Sequence, residues 1–163
     1  MLAVWTDIHP RGGGTFVACD SVPVVARFLA EHPKGLLPEE FNYRQLICQC
    51  HEFVELTAKA GQAVLMHPFV LHSSSQNHLG TPRIITNTPI KLREPMIFDR
   101  QNQADFSPVE LAILRGLGTP RYSFRPEAER ETFVPARMQQ QEKMRAEEKV
   151  RAARDRRRLE GAG

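Results

Sequence analysis

The sequence predicts a mainly β fold, an antiparallel sandwich or barrel that helices interrupt. Short runs of strand-forming residues recur from Leu2 to Lys91, and segments rich in Gly, Pro, Asn and Ser separate them. Between these runs, apolar residues recur with a helical period and predict inserted helices. Short strands joined by tight turns favour antiparallel pairing around one core.

Six strands are predicted. They are Leu2–Ile8, Thr15–Cys19, Glu52–Thr57, Gln62–His67, Phe69–Ser75 and Arg83–Lys91. The first two flank the turn HPRGGG and are expected to pair as a hairpin, and the next two surround a turn at Lys59–Gly61.

Helices are predicted in four places. The first begins at Asp20 or Ser21 and ends before Gly35, and a shorter one spans about 38–50. SPVELAILRGLG carries the strongest signal, because Ser107 and Glu110 form a capping box and Gly118 follows the end. The polar segment 135–159 predicts a solvated helix.

The predicted organisation has three parts. Residues 1–100 form the β domain, 101–135 form a helical extension packed on it, and 136–163 form a basic tail. The net charge of +3 comes from this tail, which carries +4, whereas the remainder of the chain carries −1. The tail includes clustered arginines, but interspersed acidic residues and the lack of aromatic residues disfavour nucleic acid as its partner.

Composition indicates a globular protein inside the cell. The chain of 163 residues fits one domain, and no apolar run is long enough to span a bilayer, so no membrane partner is expected. The N-terminus lacks a secretory signal. Three cysteines without framework spacing favour a reducing compartment. An intracellular, cytoplasmic location is therefore expected.

The segment HPFVLHSSSQNHLGTPR raises the question of a metal site. His67 and His72 are five residues apart, a spacing that fits neither one helix face nor one strand face. Strand alternation instead places Ser74 on the same face as His72. Arg83, which opens the next predicted strand, can point into the same cavity, where a guanidinium and a hydroxyl would bind a carboxylate.

GQAVLMHPFVLHSSSQNHLGTPRIITN resembles the distal half of phytanoyl-CoA dioxygenase family proteins, which are Fe(II)/2-oxoglutarate oxygenases on a double-stranded β-helix, or jelly roll. The family has a His-x-Ser followed, eleven residues after the histidine, by an arginine; His72, Ser74 and Arg83 match. The resemblance covers about residues 2–100. It implies a partial β-helix, with His72 as the distal iron ligand and Arg83 and Ser74 holding the far carboxylate of 2-oxoglutarate.

The family's other two iron ligands come from a His-x-Asp/Glu motif, and this sequence contains none. The resemblance therefore implies an N-terminally truncated member that is inactive as this chain stands, although its family hydroxylates C–H bonds of small molecules with Fe(II) and 2-oxoglutarate. Two alternatives remain: a non-catalytic member that keeps only the carboxylate clamp, and an interaction module that uses the basic tail. Self-association through exposed strand edges is also expected.

Overall fold

The computed structural model describes residues 1–90, 92–129 and 134–160. The chain divides into two compact units, Met1–Glu129 and Arg130–Gly163. Six strands lie in the first unit: β1 (Leu2–Val4), β2 (Thr15–Ala18), β3 (Phe53–Glu55), β4 (Ala63–Val64), β5 (His72–Ser74) and β6 (Ile85–Asn87). The helices are α1 (Ser21–Ala30), α2 (Tyr43–Ile47), α3 (Pro108–Leu117) and, in the second unit, α4 (Ala136–Glu160).

The strands form two antiparallel sheets of three strands each, ordered β4-β1-β6 and β3-β2-β5. In both sheets the central strand comes from residues 2–18, one neighbour from 53–64 and the other from 72–87. Isolated bridges at Ile8–Ala58 and Gly12–Asn77 continue this pairing between the sheets. The two sheets are therefore the two ends of one three-stranded ribbon.

Glycines and one carboxylate hold the segment where the ribbon passes from one sheet to the other. Arg11 and Gly13 have φ of 61° and 80°. A Cβ on Gly14 would lie 2.4 Å from the carbonyl oxygen of Leu56, so the ribbon strands approach too closely here for any other residue. The carboxylate of Glu55 accepts hydrogen bonds from the backbone N–H groups of Arg11 and Gly14, at 2.8 and 3.2 Å.

The helices of the first unit cover the end of β2. Val24 and Val25 of α1 and Leu46 of α2 pack with Ala18 and Cys50 in one buried cluster. α1 also packs against α3, and the crossing is close, because a Cβ on Gly116 would lie 2.7 Å from the Cα of Pro23.

α3 has the boundaries that its sequence predicts. The Ser107 hydroxyl accepts the N–H of Glu110, while the Glu110 carboxylate accepts the N–H of Ser107, which completes the capping box. Glu110 is 3% exposed and also binds the N–H of Ile97 and the guanidinium of Arg100. These partners compensate the burial of its charge.

Several sequence predictions agree with the structure, and others are wrong. The antiparallel pairing, α1, α3 and the helical tail are confirmed. The expected hairpin of the first two strands is wrong, because β1 and β2 lie in different sheets and pair with other strands; the same holds for β3 and β4. The helix expected at 38–50 has five residues. The end of the predicted strand Arg83–Lys91 lies outside the described residues.

The prediction of a mainly β fold is wrong in this respect: the chain mixes α and β structure, and its described helices hold more residues than its strands. Over the described ranges the strands close no barrel, and a jelly roll remains a prediction. In the second unit, the side chains described on α4 are exposed to solvent. No helix of the described chain is both long and apolar enough to cross a membrane.

Candidate functional site

β5 presents His72 and Ser74 on one face of its sheet, as strand alternation predicts. His72 lies opposite Val17 of β2, and Ser74 lies opposite Thr15. Directly opposed residues of an antiparallel pair share a face. Val17 and Thr15 are buried, whereas His72 and Ser74 are exposed. The two predicted site residues of β5 therefore lie on the face that carries Thr15 and Val17. β5 is an edge strand, and both of its site residues are exposed to solvent.

A backbone carbonyl orients the His72 ring. Nδ1 of His72 lies 2.9 Å from the carbonyl oxygen of Val70. A carbonyl oxygen only accepts hydrogen bonds, so Nδ1 carries the proton and Nε2 keeps a free lone pair in the neutral ring. Metal-binding histidines commonly have this arrangement, with one nitrogen held by a carbonyl and the other free to ligate.

Arg83 lies two residues before β6, which belongs to the other sheet. Continuing the β1–β6 register places Arg83 opposite Thr6, on the face of Val4, which is 3% exposed. Thr6 fixes this stretch, because its hydroxyl donates to the carbonyl of Pro82 and accepts the N–H of Ile84. Ile84 occupies the opposite face and is 53% exposed. Arg83 is thus directed to the buried side of the β4-β1-β6 sheet.

The guanidinium of Arg83 carries a buried hydrogen-bond donor that lacks an acceptor. Its Nη1 atom is buried and has no hydrogen-bond partner among the residues that the structure describes. A buried donor without a partner costs about 1–3 kcal/mol, and more for a charged group. An anion that accepts hydrogen bonds at this position would remove that cost.

The structure does not join the three predicted site residues into one contact. Across the described parts of the chain, no hydrogen bond links Ser74 or His72 to Arg83. Ser74 lies in β5 of one sheet, whereas Arg83 lies just before β6 of the other. The geometry therefore supports the binding of an anion at Arg83. A contribution of Ser74 to the same site stays a prediction.

His67 is held on both ring nitrogens. Nε2 lies 3.1 Å from the carbonyl oxygen of Val109, and Nδ1 accepts the N–H of Phe69 at 3.1 Å. The carbonyl requires a proton on Nε2, and the amide requires the lone pair of Nδ1. His67 is therefore satisfied as a neutral structural residue that links this segment to α3.

The residues present do not complete an iron centre. In the ranges 1–90, 92–129 and 134–160, no three His, Cys, Asp or Glu side chains come together as a metal site. A non-haem iron centre of the oxygenase type requires two histidines and a carboxylate. His72 supplies one suitable nitrogen and no other ligand accompanies it in the described structure.

Sequence reasoning missed the role of Glu55. Its carboxylate accepts the N–H of Arg11, the N–H of Gly14 and the hydroxyl of Ser75, and so joins all three segments of the ribbon. The hydrogen bond from Arg11 is the main cause that holds the pKa of Glu55 below its ordinary value. A single glutamate in a predicted strand carries no signal for this role, because its partners are distant in sequence.

Comparison with family models, curated proteins and solved structures finds no match to this chain.

Proposed function

We propose that this chain is a phytanoyl-CoA dioxygenase-like domain that binds 2-oxoglutarate through Arg83. The single observation that supports the proposal most is the buried Nη1 of Arg83, which lacks a partner. In the proposal the far carboxylate of 2-oxoglutarate lies against this guanidinium and Ser74 donates a second hydrogen bond. The proposed fold is part of a double-stranded β-helix, and the continuous antiparallel ribbon supports it.

The chemistry of the side chains favours a carboxylate over other ligands. An arginine fork matches the two oxygens of a carboxylate and fixes its orientation. Arg83 lies on a face that also carries the buried apolar residues Leu2 and Val4. In such partly dehydrated surroundings a charge-assisted hydrogen bond is stronger than in water.

The proposed activity of this chain is binding, not turnover. His72 is proposed as one iron ligand, because its Nε2 lone pair is free. The other histidine and the carboxylate that the metal requires are not supplied as a His-x-Asp or His-x-Glu in this sequence. Hydroxylation of a small-molecule substrate by Fe(II) and 2-oxoglutarate would require a second histidine and a carboxylate beside His72.

Titration calorimetry with 2-oxoglutarate tests the clamp. Arg83→Lys keeps the charge and loses the planar fork, so the binding free energy should weaken by about 1–3 kcal/mol. Ser74→Ala removes one neutral donor and should cost about 0.5–1.5 kcal/mol. Ser73→Ala is the matched control, because Ser73 is the adjacent residue on the opposite face of β5 and should leave affinity unchanged.

Two results would contradict the proposal. Equal affinity of wild type and Arg83→Lys would show that the ligand does not use the arginine fork. Equal losses in Ser73→Ala and Ser74→Ala would show that β5 is perturbed as a whole. Succinate production, or stoichiometric Fe(II) binding under anaerobic conditions, would contradict the statement that this chain binds without turnover.

A further inference from the structure

The β3-β2-β5 sheet carries a second feature on the face opposite to Thr15 and Val17. A groove of about 500 Å³ lies between this face and α2. Phe16 and Ala18 of β2 and Phe53 of β3 line the sheet side, and Tyr43 and Ile47 line the helix side. His72 and Ser73 of the edge strand β5 also line the groove. Pockets for small molecules typically measure roughly 300–1,000 Å³ and are mostly apolar. The groove has the size and the lining of such a pocket.

Three aromatic side chains in the groove are exposed to solvent. Phe16 is 39% exposed, Phe53 is 48% exposed and Tyr43 is 57% exposed. Single exposed apolar residues are ordinary on protein surfaces, but several along one groove indicate a binding surface. Aromatic rings stack on other planar rings and gain about 0.5–1.5 kcal/mol beyond the burial of area. The lining therefore favours a flat aromatic ligand.

The helix wall of the groove is fixed before any ligand binds. The ring of Tyr43 lies 4.6 Å from that of Phe41, which in turn lies 5.1 Å from Phe28 of α1. Leu46, on the same short helix, is 3% exposed and belongs to the buried core cluster. A preorganised wall costs less conformational entropy on binding than a mobile one.

One cation lines the groove. Arg44 is exposed, and within the described chain its guanidinium has neither an ion pair nor a hydrogen bond. Among the residues that the structure describes, no acidic side chain lines the groove. The charge of the lining is therefore positive, and a ligand with an anionic group complements it.

We propose that this groove binds a small organic anion with a planar aromatic body. The rings lie between Phe16, Phe53 and Tyr43, and the anionic group lies beside Arg44. His72, which is proposed above as an iron ligand, also lines the groove, whereas Arg83 does not. The proposal therefore depends neither on the carboxylate clamp at Arg83 nor on a metal at His72.

Two fluorescent dyes with nearly the same ring systems provide the test. Anilinonaphthalene sulfonate carries an anionic group, and N-phenylnaphthylamine carries none. The full-length protein should bind one equivalent of the sulfonate and bind it more tightly than the uncharged dye. Arg44→Gln should weaken the sulfonate roughly threefold to tenfold and leave the uncharged dye unchanged, while Phe53→Ala should weaken both dyes.

Matched controls separate the groove from general surface effects. Arg93→Gln removes another exposed arginine, and Phe124→Ala removes another phenylalanine that is 39% exposed, as Phe16 is; neither should change the affinity for either dye. Circular dichroism melts should show that every variant is folded.

Equal sulfonate affinity in wild type and Arg44→Gln would overturn the proposal, as would several weak sites that Phe53→Ala does not affect. A different outcome would assign the groove to a second copy of the chain. In that case light scattering would show a dimer that Phe53→Ala converts to a monomer, without any change in dye affinity, and the proposal would be rejected.

Discussion

Replacing Arg83 with methionine should make the ligand-free protein more stable. The buried Nη1 atom has no partner, and an unsatisfied buried donor costs about 1–3 kcal/mol. Methionine keeps an unbranched stem that can pack along the same apolar surface and removes the charge. Because part of the Arg83 side chain reaches solvent, we expect a smaller gain than this full penalty. The free energy of unfolding should rise by about 0.5–2 kcal/mol.

The same substitution should abolish stabilisation by 2-oxoglutarate. A ligand that binds only the folded state at 100 times its dissociation constant stabilises it by about 2.7 kcal/mol. Wild type should gain this amount and Arg83→Met should gain nothing. The order of stability should therefore invert, with the variant more stable without ligand and wild type more stable with it.

Urea denaturation followed by circular dichroism, with and without 2-oxoglutarate, measures both effects. The slope of the unfolding free energy against urea should stay the same, since the change affects the folded state locally. Arg93→Met is the control; this arginine is exposed, and its replacement should change stability by less than about 0.5 kcal/mol. A loss of more than about 1 kcal/mol in ligand-free Arg83→Met would refute the reasoning, because it would show that the native guanidinium is already satisfied.

Three further changes test the scaffold. Gly14→Ala should destabilise the protein by about 2 kcal/mol or more in urea denaturation, because its Cβ would lie 2.4 Å from the Leu56 carbonyl oxygen. Gly35→Ala is the control: a Cβ there meets no neighbouring atom, so this change should cost only the strain of the positive φ. Glu110→Gln should cost about 1–3 kcal/mol at neutral pH in the same assay. Burial raises the pKa of Glu110, but hydrogen bonds from Ile97 and Ser107 outweigh it and hold the pKa below its ordinary value. Wild type should therefore lose this contribution as the pH falls through the folded pKa, and the variant should show a smaller acid loss. Deletion of residues 130–163 should shift the melting temperature of the first unit by only a few degrees, and a larger loss would contradict its independence.

The parts of the fold that the sequence predicts are those with local causes. α3 begins and ends where Ser107, Glu110 and Gly118 place it, because a capping box and a glycine with φ of 71° act within one helical turn. α1 is predicted by its apolar face in the same way. These signals require no knowledge of distant residues.

The parts that the sequence did not predict depend on pairing between distant segments. HPRGGG has the composition of a hairpin turn, yet the strands on either side of it enter different sheets. Its conformation is fixed by Glu55, Ser75 and the close approach of Leu56 to Gly14, all of which lie far along the chain. For the same reason, only the folded structure shows that Nη1 of Arg83 lacks a hydrogen-bond partner. The sequence motif had already identified Arg83 as a candidate carboxylate-binding residue.

The change of sheet also decides which faces the candidate site residues occupy. Ser74 and Arg83 are nine residues apart, and on one unbroken strand an odd separation would place them on opposite faces. The two residues do not share one strand. Ser74 pairs with Thr15 on the face that also carries Val17, whereas Arg83 lies opposite Thr6 on the face of Leu2 and Val4. Both faces of β2 hold buried residues, because Ala18, on the face opposite to Thr15 and Val17, is 1% exposed. The pairing with residues 72–87 keeps the same register in both sheets, and Glu55 holds the glycine-rich segment between them. A site shared by Ser74 and Arg83 stays a prediction, and it depends on how this segment turns one sheet relative to the other.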